Sequence, residues 1–456
     1  MSSPPPDRSP GPPPAVVPAR AGPFRRRFGL LADADFRSLY VASIASHAGG
    51  QVATLGIPLV AVLMLQASEL EVGLLSMAAQ LALLVLGLPA GAWVDRASRR
   101  RVMILSNLGQ AAVVALIPLA WWADALAIWQ LYLVALLRGV TGLFFNVAYQ
   151  SYLPHLVGRD NLLEGNTKLE GARSVAQVAG PGLAGQLVQA ATAVGALIGS
   201  LVMVVVSVLV LGRIRDREPA RRGARDTRLR HEIGEGLRFV LGHRLLRPIA
   251  ACSGTFNLFW AAYLAMFVVF LARGLDLSGG AIGVVMMVGG AGGIVGLFVN
   301  RRIVGRLGQG PTLWVTPVLV GLFALLVPLT RPGPTVWIAA LGQLLAIASM
   351  IVYNVTQVTF RQGLTPDRLL GRMSATMRFL VWGTMPFGAL LGGVLGQWLG
   401  PRTALLVSAV GVSFSAVPVL LSPLRRMREL PVLPAEDDTA EEDTADRSGV
   451  GEPSTR

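Results

Sequence analysis

Residues 102–122 read VMILSNLGQAAVVALIPLAWW, and none of these side chains is charged. Runs of this kind recur along the 456-residue chain, separated by shorter stretches that hold most of its charge. A helix of about 20 apolar residues spans the roughly 30 Å hydrocarbon core of a bilayer. In lipid the backbone must satisfy its own hydrogen bonds within the segment, so these runs read as helices. A transmembrane β-barrel would alternate in polarity over about ten residues, and no such alternation is present. The chain is 53% hydrophobic and 14% charged, against roughly 25% charge in soluble domains. A soluble fold of this length could not hide so much apolar surface.

About twelve spans are predicted, with cores near 37–65, 72–94, 102–122, 128–151, 168–190, 193–212, 247–272, 279–299, 311–330, 335–359, 375–397 and 402–422. The longest connection, 213–246, divides them six and six. The predicted fold is an all-α membrane protein, with one six-helix bundle in residues 29–212 and another in 247–424. Residues 1–28 are Pro-rich without an apolar core, so they are no secretory signal. They and the acidic residues 425–456 are predicted to be disordered cytoplasmic tails. In the linker, Ile233, Leu237, Val240 and Leu241 fall on one helical stripe, predicting an amphipathic helix at the membrane interface.

A net charge of +14 raises the possibility of nucleic-acid binding. The basic residues form no aromatic-laced surface domain; they occupy the gaps between apolar runs. Nearly all are arginine, Lys168 being the sole lysine. The gaps at 25–27, 96–101, 159, 213–247, 301–306, 361–372 and 425–428 are basic, whereas the alternate gaps hold only Arg273, Arg331 and Arg402. The positive-inside rule then puts both termini in the cytoplasm of a multi-pass plasma-membrane protein. Cys252 is the single cysteine, which excludes an internal disulfide and a thiolate cluster. No metal-ligand spacing, nucleophile–base pair or Walker lysine motif is present, so no cofactor, ATP or enzymatic activity is expected.

The two halves repeat. GAWVDR begins at Gly91 and GLFVNR at Gly296, 205 residues later. The same offset pairs Arg138 with Gln343 and Pro181 with Pro386, and RDNLL pairs with PDRLL at an offset of 207. These coincidences indicate duplicated six-helix halves. Parallel repeats with a binding site between them are a transporter design.

GAWVDRASRRR at 91–101, RGVTG at 138–142 and GPGLAG at 180–185 resemble motifs of the major facilitator superfamily. The first resembles its loop 2–3 signature, departing from it at Trp93 and Ser98. The second resembles a proton-antiporter motif, through Arg138 and Gly142. The third partly matches the antiporter signature, through Gly180, Pro181 and Gly185. The segments EGLRFVLGHRLLR and DRLLGRMSATMRFLVWGTMPFGALLGG are similar to the twelve-span bacterial efflux branch that includes macrolide exporters. The resemblance covers residues 28–428 and implies the major facilitator fold. It implies a cytoplasmic latch at Gly91, Asp95 and Arg96, echoed in the second half by Gly296, Asn300 and Arg301. It also implies that the latch releases during alternating access.

The residues themselves allow the following. A carboxylate at Asp95 can accept hydrogen bonds from a helix N-terminus, and Gly91 gives room for close helix approach. Arg99 to Arg101 are explained equally well as topology signals, which need no acid. Arg138 lies inside a span, where charge is costly unless it faces a cavity or a partner. It reads either as a coupling residue or as a structural arginine pinned to carbonyls. Span one has no central carboxylate, so His47 is the candidate proton carrier, or else a packing histidine. Glu170 and Arg173, three apart, form either a gate or a structural pair. Gln51, Tyr149, Asn257, Trp260, Gln343, Asn354 and Gln357 are predicted to line a cavity. Gly180, Pro181 and Gly185 are predicted to thin and bend a helix for packing.

These readings converge on a secondary transporter that exports hydrophobic or amphipathic molecules by proton antiport. Its expected partners are the bilayer, protons and a small molecule, and it is expected to act as a monomer. A proton-coupled uptake symporter and a non-transporting sensor or scaffold are the alternatives.

Overall fold

Each apolar run forms a helix, and polar residues between runs set where several of them start. A computed structural model describes residues 29–87, 89–215 and 229–428. The two expected tails thus lie largely outside the described residues, as does 216–228. Ser68 caps α2 (Glu69–Leu86) in a capping box: its Oγ accepts from the Glu71 N–H, and Glu71 accepts from the Ser68 N–H at 2.7 Å. Asp33 caps α1 (Ala34–Leu59) by accepting from the Phe36 N–H at 2.8 Å. Both caps satisfy amides that the first turn leaves without partners.

The first part of the chain continues with α3 (Pro89–Asp95), α4 (Arg99–Trp122), α5 (Ile128–Val157) and α6 (Leu162–Gly212). The second part holds α7 (Leu229–Gly242), α8 (Leu246–Val269), α9 (Gly279–Leu307), α10 (Gln309–Ala324), α11 (Val336–Gly363), α12 (Asp367–Trp382) and α13 (Met385–Phe414). Among the described residues, nine helical runs are long and apolar enough to cross a membrane. Two of them, Leu162–Gly212 and Leu369–Leu420, have 51 and 52 residues. At about 1.5 Å per residue either would exceed a bilayer twofold if straight. Neither is straight: the first breaks at Ala191 and Thr192, the second at Gly400.

Three expectations need correction. The predicted 72–94 span is not continuous, because α2 ends at Leu86 and α3 is a separate short helix. Pro89 supplies no N–H to a preceding turn and disfavours helix just before it. The predicted 311–330 span is α-helical only to Ala324 and finishes in irregular turns. The linker helix forms as α7, but its stripe differs. Val240 is fully buried whereas Leu241 is 46% exposed, and the Ile233 side chain lies outside the described residues. The buried face of α7 is covered by α12, not by lipid alone: a Cβ on Gly236 would lie 2.9 Å from the Arg372 carbonyl oxygen. Arg372 also donates to Glu235. The Nδ1 of His243, beyond α7, accepts from the Leu245 N–H at 3.2 Å, and burial pushes this imidazole's pKa below its usual value. Both effects favour the neutral ring.

The backbone repeats what the sequence repeats. Apart from glycine, only Gln66, Asp124, Thr192 and Asp276 adopt positive φ among the described residues. Gln66 and Asp276 are 210 residues apart, and each follows a π-helical turn, Val60–Met64 or Phe270–Gly274. Ser68 and Ser278, again 210 apart, cap the next helices. Asp124 matches Gly333 at 209, and Thr192 matches Gly400 at 208. The offset of 205 at Gly91 and Gly296 reflects five extra residues in the first part, which fall where α2 is interrupted. One sequence pairing shifts: α5 and α11 start 208 residues apart, so Arg138 corresponds to Ala346, one turn beyond Gln343.

With lipid outside, association has little hydrophobic drive and relies on packing and interhelical hydrogen bonds. Fully buried Asn107 of α4 supplies such bonds in the first part. Its Oδ1 accepts from Ser46 of α1 at 3.1 Å, and its Nδ2 donates to Ser207 of α6 at 2.8 Å. Ser207 donates in turn to the Ala42 carbonyl at 2.7 Å, and Ser200 to the Gly49 carbonyl at 2.7 Å. In the second part Tyr353 and Ser253 bond at 2.7 Å. Asn107→Val is expected to lower stability by about 1–2 kcal/mol, seen as a reduced Tm of the detergent-purified protein. Asn146→Ala, which loses only a bond to the Gly142 carbonyl of its own helix, is expected to change Tm little.

Candidate functional site: a polar cleft between helices joined at one end

Helices α1, α4, α5 and α6 enclose a polar cleft of about 690 Å³. From α1 come His47, Gln51 and Thr54; from α4, Gln110; from α5, Arg138, Phe145 and Asn146; from α6, Arg173 and Gln177. Helical spacing explains the α1 face, since residues four apart lie above one another. Arg138 donates from Nη1 to the Gly50 carbonyl at 3.3 Å, while its Nε is buried with no hydrogen-bond partner. His47 is likewise buried at Nε2 without a partner. Its ring meets Phe145 and Tyr149 edge-on, at centroid distances of 6.2 and 6.0 Å. Tyr149 stands behind His47 and accepts from Ser43 at 3.3 Å. Glu170 is exposed and bound bidentately by Arg173, whose Nε lies 3.1 and 3.0 Å from its two oxygens.

The structure thus brings His47, Gln51, Arg138 and Arg173 together. It does not bring the second-part candidates to this cleft. Asn257 bonds to the Ser253 carbonyl of its own helix at 2.9 Å. Trp260 is buried in an aromatic stack, 5.2 Å from Tyr263. Gln343 is buried, with Oε1 3.5 Å from the Tyr263 hydroxyl. Gln357 is buried with Oε1 unpartnered, and Asn354 is exposed.

The two parts meet unevenly. One apolar core draws on both, through residues such as Leu55, Leu131 and Val194 with Phe267, Ile282 and Leu405. Elsewhere each part has its own: one around Phe36, Met103 and Tyr152, the other around Val240, Tyr353 and Phe360. Glycine-on-glycine crossings make the joint. A Cβ on Gly185 of α6 would lie 2.5 Å from the Gly279 carbonyl oxygen and 2.7 Å from the Gly283 Cα of α9. A Cβ on Gly73 of α2 would lie 2.5 Å from the Gly393 Cα of α13. Gly73 and Gly283 are 210 residues apart, so the two crossings are counterparts. Pro181 and Gly180 share this packing: the Pro181 carbonyl faces Gly283, and Gly180 abuts Gln51.

Arg273 completes the joint. It donates to the carbonyls of Ala67 at 2.6 Å and Val62 at 3.4 Å, and to Glu69 at 3.2 Å. Sequence reading missed this residue as a site. The available signal was an arginine alone among connections otherwise poor in basic residues.

At the opposite, arginine-rich end, α3 packs on α4 and α5 of its own part. Trp93 stacks on Phe144 at 6.1 Å. The Asp95 side chain lies outside the described residues, and Arg96 is exposed. The close approach expected at Gly91 is absent: a Cβ there would meet nothing within 4 Å. The reason is the break before Pro89, which turns α3 away from the line of α2. Its counterpart Gly296 does sit in tight contact, against the Ala348 carbonyl oxygen at 2.5 Å. Asn300 has a buried, unpartnered Oδ1, and Arg301 is exposed. Among the described residues no group of His, Cys, Asp and Glu could hold a metal ion.

The family model of the Major Facilitator Superfamily matches residues 39–385. The chain is 27% identical over 409 residues to the multidrug efflux pump Tap of Mycolicibacterium fortuitum, covering 85% of this chain and 95% of that one. It is 26% identical over 413 residues to the enterobactin exporter EntS of Salmonella typhi, covering 87% and 94%. A crystal structure of a bacterial homologue of the iron transporter ferroportin, in an inward-facing state, superposes with a TM-score of 0.68 at 16% identity. It covers 84% of this chain and 97% of that one, a likeness of fold.

Arg273→Ala is expected to loosen the joint. Charged hydrogen bonds of this kind contribute about 1.5–3 kcal/mol when well buried, and less here because both partners are partly exposed. A cysteine replacing Val188, whose side chain abuts Gly279, is expected to react roughly fivefold faster with a membrane-impermeant thiol reagent in the Arg273→Ala background. An unchanged rate would show that the glycine crossings alone hold this end.

Proposed function

The chain belongs to the Major Facilitator Superfamily, and on that premise we propose that it exports amphipathic small molecules by proton antiport. Membership makes it a transporter of small molecules rather than an enzyme. The observation that carries the finer reading is a polar, cation-lined cleft in a molecule whose two parts share a core at one end only. Such a joint lets the parts rock against each other, so that the cleft faces one side of the membrane at a time.

In this reading the chain crosses the membrane twelve times as two six-helix bundles, 29–212 and 247–424. Dividing the two long runs at Thr192 and Gly400 makes eleven crossings from nine, and Gln309–Ala324 supplies the twelfth. The arginine-rich connections put both termini in the cytoplasm. The end sealed by Arg273 and the glycine crossings is then outermost, and the cleft faces the cytoplasm, where an exporter collects its cargo. The efflux and export roles named for Tap and EntS support this direction.

Proposed roles follow position. Gly91, Asp95 and Arg96 form a cytoplasmic latch that closes when the cleft turns outward, with Gly296, Asn300 and Arg301 as its weaker counterpart. His47, in reach of both cleft and Arg138, carries the coupled proton, and Glu170 with Arg173 gates the cytoplasmic approach. Gln51 and Tyr149 shape the cleft wall. Asn257, Trp260, Gln343, Asn354 and Gln357 meet cargo only after the second bundle rotates toward it.

In everted membrane vesicles, a panel of fluorescent amphipathic dyes is expected to include compounds that accumulate when the lumen is acid, with accumulation collapsed by an uncoupler. Accumulation that instead requires an alkaline lumen would mean symport in the uptake direction. Asp95→Asn is expected to slow this transport roughly tenfold, the worth of one charge-assisted hydrogen bond, without lowering the amount of inserted protein. Asn300→Ala is expected to do less, and equal losses would remove the asymmetry of the latch.

A further inference from the structure

The cleft has a charge imbalance that the chain does not resolve. Its lining includes two guanidiniums and an imidazole, with amides from Gln51, Gln110 and Asn146, and no carboxylate. Glu170 stands nearby but is already held by both edges of Arg173. A guanidinium does not deprotonate in proteins, and an uncompensated charge in the bilayer interior costs several kcal/mol. The long helices offer Arg138 no partner. Between Glu71 and Glu164 the acids are Asp95, Asp124 and Asp160, none of them within a long apolar run. From residue 236 to 428 the only acids are Asp276 and Asp367, one in a connection and one at the start of α12. The counterpart of Arg138 in the second part is Ala346, which is fully buried and apolar.

The hydrogen bonding points the same way. Arg138 uses Nη1 on the Gly50 carbonyl, and its buried Nε has no acceptor. Nε and the adjacent Nη2 form the edge of a guanidinium that holds a carboxylate bidentately. In the same cleft His47 Nε2 is also buried without a partner. Phe145 and Ala176 give the wall an apolar side, suited to the body of an amphipathic molecule.

We propose that the cleft recognises an anionic amphipathic cargo, an ionised carboxylate on an apolar body, with Arg138 as its anchor. The inference rests on the cleft being the cargo site of the exporter and narrows that reading from amphipathic molecules in general to acids. The cargo supplies the negative charge that the helices lack. An empty cleft leaves Arg138 without its counter-charge, which favours loading before the bundles rock.

The test is equilibrium binding to the detergent-purified full chain, followed by fluorescence of three dansyl probes: dansylaminoundecanoic acid, its methyl ester and dansylcadaverine. The acid is expected to bind roughly 10- to 100-fold tighter than the ester, the range of a bidentate charge-assisted pair, and the amine weakest. Arg138→Gln is expected to abolish the acid-over-ester preference, and Arg138→Lys to retain part of it. Glu170→Gln frees Arg173 and is expected to tighten acid binding roughly two- to fivefold, a gain that misfolding cannot produce. Equal binding of acid and ester, tighter binding of the amine, or an acid preference that survives Arg138→Gln would overturn the proposal. So would a preference that vanishes when gluconate buffer is replaced by chloride, which would assign Arg138 to an inorganic anion. The readout needs no transport: acid preference without export removes the export reading and leaves this one, and export without acid preference does the reverse.

Discussion

The close approach of backbone to backbone at two glycine crossings holds this molecule in its observed arrangement. Gly185 meets Gly279 and Gly283, and Gly73 meets Gly393, with no room at either place for a side chain. Helices in lipid gain little from burying more apolar surface, so close packing has to supply the attraction. Both crossings lie where the single shared core lies, and beyond it each part keeps its own apolar centre. The result is a pair of rigid bodies touching along a line of small residues. Such a contact can roll without breaking many specific bonds, as alternating access demands.

Polar groups are used sparingly and for two different purposes. Asn107, Ser46, Ser207 and Ser200 satisfy one another or a facing carbonyl, and so fasten helices within one part. Arg138 and His47 do the opposite, leaving buried nitrogens without partners in an open cleft. Satisfied groups make each part rigid. Unsatisfied ones mark where something from outside the chain is to bind. Arg273 belongs to a third kind, an arginine that crosses from one part to the other and fixes which end is shut.

The helical, membrane-spanning character was legible because composition and run length settle it in lipid. The duplication was legible as well, though its register was not: five extra residues around Gly87 to Pro89 shift the offset, and only the paired left-handed residues reveal the true correspondence of Arg138 with Ala346. His47, Gln51, Arg138 and Arg173 could be found because polar groups at helical spacing stand out in apolar runs. Asn257 and Trp260 stand out equally, yet one bonds to its own backbone and the other is stacked in an aromatic row. Spacing identifies a helix face without saying what that face meets. The glycine crossings were half visible: GPGLAG drew notice in α6, but its partners across the joint lie roughly a hundred residues away, beyond any local pattern. Arg273 was passed over because its partners are mostly carbonyls, which the sequence does not display.

Rolling about a fixed joint makes opposite ends move in opposite senses, and a pair of distances measures that. Spin labels at exposed positions 124 and 331 report the sealed end, and labels at exposed positions 166 and 302 report the arginine-rich end. Pulsed electron resonance on reconstituted protein, with and without a transported dye and a pH gradient, then gives both separations. Expected is a fall in the 166–302 distance accompanied by a rise in the 124–331 distance. Distances that change in the same sense, or not at all while transport proceeds, would contradict a mechanism built on the glycine joint.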